Sequence, residues 1–251
     1  MEKFTKLKNF NLVMSVLHAL QALAVIALSK SFSLPLTNSY LKFNPISQAL
    51  EPATAAAFNL SLPSLIAGFF CLSAIFHLVI ATTYRKTYEA NLSKGMNKAR
   101  WFEYSLSASV MMVAISLLVG IYDVSSLIMI FGLTAGMNLM GLVMEVHNQT
   151  TKTTDWLSYW IGCILGALPW VVVALYLWVG SANGSSAPTF VYWIFVSIFI
   201  FFNTFAINMW LQYKKVGKWK DYVYGERAYI ILSLVAKSLL AWQVFAGTLR
   251  P

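Results

Sequence analysis

Cysteine is scarce in this 251-residue chain, with only Cys71 and Cys163, each inside an apolar run. Two isolated thiols make neither a disulfide framework nor a metal-ligand spacing. Histidine is nearly as scarce, with His18, His77 and His147 far apart in sequence. No third and fourth ligand stands at a suitable spacing, which argues against a structural or catalytic zinc site. Charge is thin as well. Charged residues make up 11% of the chain, where soluble domains run to about 25%. Acids number nine against eighteen lysines and arginines.

What the chain has instead is apolar length. It is 59% hydrophobic with a mean hydropathy of +0.66, the signature of an integral membrane protein. Seven runs are long and uncharged enough to cross a bilayer: about 10–29, 62–83, 97–120, 124–146, 156–179, 188–213 and 226–248. The expected fold is all-α, one seven-transmembrane-helix bundle over residues 1–251. The first run is long enough to span and has no small-residue cleavage site after it, so it reads as a helix rather than a leader.

The basic residues set the expected orientation. With seven spans, fourteen of the eighteen fall on the N-terminal side, and three, Lys30, Lys42 and Arg250, on the other. The positive-inside rule then puts the N-terminus in the cytoplasm and the C-terminus outside, as in a multi-pass protein of the cell membrane. The +9 net charge is thus read as topology and lipid contact, not as nucleic-acid binding. Connections are short except the first, residues 31–61, which carries Pro35, Pro45 and Pro52. A loop of that length is functional or structured by itself, and 33–43 is expected to hold a short β-hairpin on the outer face.

The eighteenth basic residue is Lys237, near the middle of the last span and about 16 Å along the helix from Glu226. A lysine that deep either snorkels or pairs with an acid for structure, or carries a covalent cofactor as a Schiff base. Glu103, in the third span, is the one carboxylate read as lying clearly inside the membrane; Glu145 and Glu226 are read as solvated at helix ends. Glu103 and Lys237 are natural partners, since either alone is costly. Side chains lean toward their helix N-terminus, which brings Lys237 toward the level of Glu103. Ser233 lies one turn before Lys237 on the same face and either bonds its nitrogen or back-bonds to a carbonyl. His18 and His77 are expected to share a polar cavity with Glu103, whereas His147 is expected to be solvated. Trp101, Trp170, Phe202 and Phe205 are expected to line a pocket for a flat conjugated ligand, with Pro169 loosening the fifth span beside it. Gly132/Gly136 and Gly162/Gly166 give the fourth and fifth spans GxxxG spacing, suited to close packing within or between subunits.

Several segments go beyond these generalities: NFN at 9–11, HALQ at 18–21, RWFEYSLSASVM at 100–111, FFNTFA at 201–206, LQYKKVGKW at 211–219 and GERAYIILSLVAKSLLAWQ at 225–243. With the central lysine, the third-span carboxylate and the inverted orientation, they resemble the heliorhodopsins, an inverted branch of the microbial-type rhodopsins. The resemblance covers nearly the whole chain. It implies all-trans retinal on Lys237 as a protonated Schiff base, with Glu103 as counter-ion and a hydrated cavity near His18, His77 and Ser233. It implies pocket positions at Asn138, Gly141, Trp170, Phe202, Phe205 and Met209, the last standing where some members carry glutamine. It also implies a homodimer through the fourth and fifth helices, and a photoreceptor rather than an enzyme.

Outward proton pumps resemble a different pattern, with an acid, a threonine and a second acid on the third helix and another acid four residues before the lysine. Here these positions are Glu103, Ser107, Ala114 and Ser233. With the later acids missing, the favoured reading is a light sensor with a slow photocycle and a cytoplasmic signalling partner that the sequence does not name. The competing readings are a light-driven or light-gated ion transporter, and a retinal-free protein using a Lys–Glu pair.

Overall fold

A computed structural model describes residues 2–250. Helix α1 (Glu2–Leu28) leads into strands β1 (Ser33–Asn44) and β2 (Ala49–Ser61). Helices α2 (Leu62–Ala81), α3 (Arg85–Ser93), α4 (Lys98–Leu118), α5 (Val124–His147), α6 (Leu157–Ala182), α7 (Thr189–Tyr213) and α8 (Tyr222–Val244) follow. All but α3 are long and apolar enough to span a membrane, α8 together with the π-helical turn that extends it to Leu249. The seven stand in a ring, α1, α2, α4, α5, α6, α7 and α8, which closes back on α1. Large apolar side chains such as Leu23, Ile164, Trp178 and Trp193 point outward, as a lipid-facing surface requires.

Polar residues at the span boundaries start the helices. Ser61 accepts from the Ser64 amide with Pro63 in the first turn of α2, Asn97 accepts from Arg100, and Asp221 accepts from Val223. Inside the ring one apolar cluster, with Phe69, Phe70, Met112, Ile115, Ile194 and Leu240, fills the half toward the hairpin. Smaller clusters fill the basic half.

The hairpin is longer than the sequence suggests. It consumes the whole first connection, with Ser33 opposite Ser61 and Asn44 opposite Ala49, and an irregularity at Leu36/Thr37. Its turn is fastened by Asn44 and Ser47, which both donate to Glu51. Its base is docked: Thr37 N–H donates to Tyr122 O at 2.9 Å and Ser39 N–H to Asp123 at 3.1 Å. Asp123 also caps α5, and the Ser126 amide, helped by Ser39, holds its carboxyl below the usual range. Alternation of apolar and polar residues is weak here, which is why periodicity alone underestimates the strands.

Helix α3 is the other addition. In RKTYEANLS, Tyr88 and Leu92 lie four apart and are both buried, and Arg85 pairs with Glu89 at 2.7 Å. It roofs the basic end, and that roof overturns two expectations. Glu145 and Glu226 are not solvated; each is 1% exposed. Both pair with the guanidinium of Arg100, which is itself buried and no loop charge. Every carboxylate oxygen is satisfied. Glu145 also accepts from the Asn97 amide, Trp101 Nε1 and Tyr222 OH, and Glu226 from Tyr88 OH and Asn97 Nδ2. His147 does stand half out in solvent, facing Asp155 at 3.2 Å.

The GxxxG pair of α6 is used inside the protomer. A Cβ on Gly166 would lie 2.3 Å from Met137 Sδ of α5, and one on Gly162 3.2 Å from Met140 Cβ.

Removing Arg100 leaves two buried carboxylates with no cation, a loss of about 3–5 kcal/mol for a broken buried pair. Arg100→Gln is therefore expected to lower the melting temperature sharply. Lys3→Ala, which breaks an exposed pair with Asp221, should cost less than about 1 kcal/mol. Equal melting of the two variants would contradict the buried cluster.

Candidate functional site

The buried polar centre of the bundle is built on α8, α4, α2 and α1. Lys237 Nζ donates to Ser233 Oγ at 2.6 Å and to Glu103 Oε1 at 3.2 Å. Lysine and glutamate are 3% and 5% exposed. Ser233 is thus on the nitrogen and not on a carbonyl. Ser73 of α2 donates to the same oxygen, Glu103 Oε1, at 2.6 Å. The ring of Tyr104 lies 5.4 Å from Nζ, close enough for a cation–π contact.

Outside this pair stand the histidines. Asn11 gives its amide hydrogen to Leu7 O, leaving its oxygen to accept from His77 Nδ1 at 2.7 Å. His18 is fully buried and stacks on His77, ring centroids 5.5 Å apart. Neither ring nitrogen of His18 has a protein partner, nor has Ser107 Oγ, one turn beyond Glu103. His77 and Glu103 line a cavity that runs toward Asn97, Arg100 and Glu226, so the two charged centres face a common space. His18 stays behind His77 and does not line it.

On the other side of Lys237 the lining turns apolar. One cavity is bounded by Tyr104, Met111, Phe202, Phe205, Ser233 and Lys237 itself. A second adjoins it, sharing Met137, Asn138, Phe202 and Phe205, and ends among Trp101, Gly141, Tyr159 and Met209. Gly141 is required there, because a Cβ would fall 2.4 Å from the Trp101 indole. Trp170 lies off both cavities and packs edge-on against Phe202, centroids 5.4 Å apart. Of the sequence-predicted positions, Lys237, Ser233, Glu103 and His77 meet directly around the polar centre, while Asn138, Gly141, Phe202, Phe205, Met209 and Trp101 line the apolar slot.

Sequence reasoning passed over Ser73, Asn11 and Tyr104. Ser73 lies one helical turn before His77, so helical spacing was the available signal. For Asn11 the signal was the pair of amides in NFN at 9–11.

The fit to a long conjugated aldehyde follows from this lining. An amine lines a slot walled by aromatic side chains, with a buried carboxylate beside the nitrogen to balance a cation. The orphaned hydroxyl of Ser107, one turn from Glu103, and the imidazole of His18, stacked on His77, leave hydrogen-bonding groups unused around the polar centre.

A family model described as Heliorhodopsin matches residues 7–249. Among solved structures, the chain is similar to the light-driven proton pump LR (Mac) from Leptosphaeria maculans. The TM-score is 0.67 at 16% identity, over 96% of this chain and 93% of that one, a likeness of fold. No curated protein sequence matches the chain.

The pair makes its own prediction in the retinal-free protein. Lys237→Met alone strands the carboxylate and should cost about 3–5 kcal/mol. Adding Glu103→Gln should recover most of that loss in a double-mutant cycle, read by denaturant unfolding. Simple additivity would dissolve the pair.

Proposed function

The chain belongs to the heliorhodopsin family, and on that premise we propose that it is a light sensor that keeps its proton inside the bundle, with retinal held as a protonated Schiff base on Lys237. That it is a retinal-type photoreceptor of the rhodopsin fold follows from the family. The finer reading rests on one observation: a buried amine shares a hydrogen-bonded centre with a single carboxylate and two serines.

Retinal bound there supplies the light absorption and the change of shape. The chain's own groups do the rest. Glu103 provides the negative charge that favours a cationic nitrogen. Ser73 fixes the carboxylate rotamer by donating to the oxygen that faces Nζ, and Ser233 offers the nitrogen a second acceptor. Phe202, Phe205 and Tyr104 exclude water from the slot and restrict it to a flat occupant. All-trans is the dark-state geometry this reading adopts.

The distribution of acids favours sensing over pumping. Among the described residues, the buried carboxylates are Glu103, Glu145 and Glu226. All three lie on the basic-end side of Lys237, and two are tied to Arg100. Toward the hairpin the chain offers Ser107 and Ala114 on α4 and no buried carboxylate. A proton leaving the nitrogen therefore has acceptors on one side only and returns by the same route. A slow photocycle is part of this reading. So is an N-terminus on the cytoplasmic side of the cell membrane, as the basic asymmetry supports. A homodimer seated on the outward faces of α5 and α6, where Ile128, Met129 and Ile164 are exposed, completes it.

Lys237→Ala, expressed with retinal, is expected to fold and to lack the visible band; a retained band that resists hydroxylamine would break the covalent assignment. In illuminated cells the wild type should give no sustained pH change. A light-proportional, uncoupler-sensitive signal would move the protein to the transporter class.

A further inference from the structure

We propose that the basic end of the bundle carries a binding site for a small, water-soluble phosphate-bearing anion. The site is a cavity of about 420 Å³ between three connections: the end of α3, the α5–α6 loop and the α7–α8 loop. Lys94, Lys152, Lys215 and Lys220 line it, and no carboxylate does. The nearby acids are engaged elsewhere. Asp221 pairs with Lys3, and Asp155 accepts from the Leu157 amide and faces His147. Among the described residues, none of the four lysines is in an ion pair.

The positive-inside rule accounts for lysines at this end of the molecule. It does not account for four of them converging on one concavity from three separate loops. A cleft lined by one sign of charge concentrates counter-ions, and ammonium groups are point-charge partners for phosphate oxygens. Thr153 and Thr154 add hydroxyls at the rim. Gly95 and the rings of Tyr213, Trp219 and Tyr222 aside, every lining side chain is polar or charged, which suits a compact polar ligand better than an acyl chain. That favours a soluble phosphate over a lipid headgroup as the source.

The floor connects the site to the interior. Tyr222 lines the cavity, and its hydroxyl donates to Glu145 Oε1 at 2.8 Å and accepts from Arg100 at 3.3 Å. Gln212, also in the lining, holds the Tyr222 carbonyl at 3.2 Å. An anion seated here rests on a residue of the buried Arg100 cluster. The proposal does not depend on the light-sensing reading.

The test is calorimetric titration of pyrophosphate into the full chain in phosphatidylcholine nanodiscs at low salt. One saturable site is expected, weakened as salt rises. Lys152→Ala with Lys220→Ala should bind at least about tenfold more weakly, and Lys94→Gln with Lys215→Gln likewise. Lys86→Ala with Lys218→Ala removes equal charge from the same face outside the cavity and should stay within about twofold of wild type. No saturable heat, or an equal loss in the Lys86/Lys218 pair, overturns the site. Phosphate binding seen only with phosphatidic acid in the disc overturns the soluble ligand.

Discussion

The structure depends on one constraint, that a lysine buried at the middle of the last helix must be neutralised where it stands. Hydrocarbon offers no water to solvate it, and the helix places it beyond easy reach of either headgroup layer. Glu103 answers that charge, and the rest of the polar centre follows. Ser73 orients the carboxylate, Ser233 accepts from the amine, and the ring of Tyr104 faces the cation. The helices that meet here, α2, α4 and α8, are cross-linked by these hydrogen bonds as well as by apolar packing.

A second constraint acts nearer the basic end. Arg100, Glu145 and Glu226 carry three more charges into the interior, and seven donated hydrogen bonds satisfy the two carboxylates. A shell that complete ties both carboxylates to Arg100 and to the ends of α4 and α8, which makes the cluster a rigid base for the bundle. The cavity between the two centres gives the Lys237 side an exit toward polar surroundings, while the half toward the hairpin is closed by Phe69, Phe70, Met112 and Ile115. Such one-sided polarity is what the proposed sensing role calls for.

Much of this was legible in the sequence. The seven spans, the central lysine, its carboxylate and the serine one turn away follow from length, charge placement and helical spacing alone. What escaped was burial that depends on neighbours. Glu145 and Glu226 look solvated because they sit at helix ends, and only the roof of α3, with Tyr88, and the start of α8, with Tyr222, encloses them. Arg100 looks like a topology charge for the same reason. The hairpin was underestimated because its strands, beyond Leu36 at the docked base, are largely exposed on both faces, so little alternation marks them. The glycines of α6 show the reverse: their spacing was legible, but only packing assigns them to Met137 and Met140 of α5.

The central claim, that Glu103 is the charge partner of the chromophore-bearing nitrogen, is tested most directly by the absorption spectrum of retinal-reconstituted Glu103→Gln. The substitution keeps the shape and removes the charge. With less negative charge near the nitrogen, the positive charge spreads along the polyene. The account therefore predicts a visible band shifted to longer wavelength, and weaker at neutral pH than in wild type. Recording it in low and high chloride separates an imported anion from the missing carboxylate. A band whose position and pH range match wild type in both salts would contradict the account, and would place the counter-charge on another group.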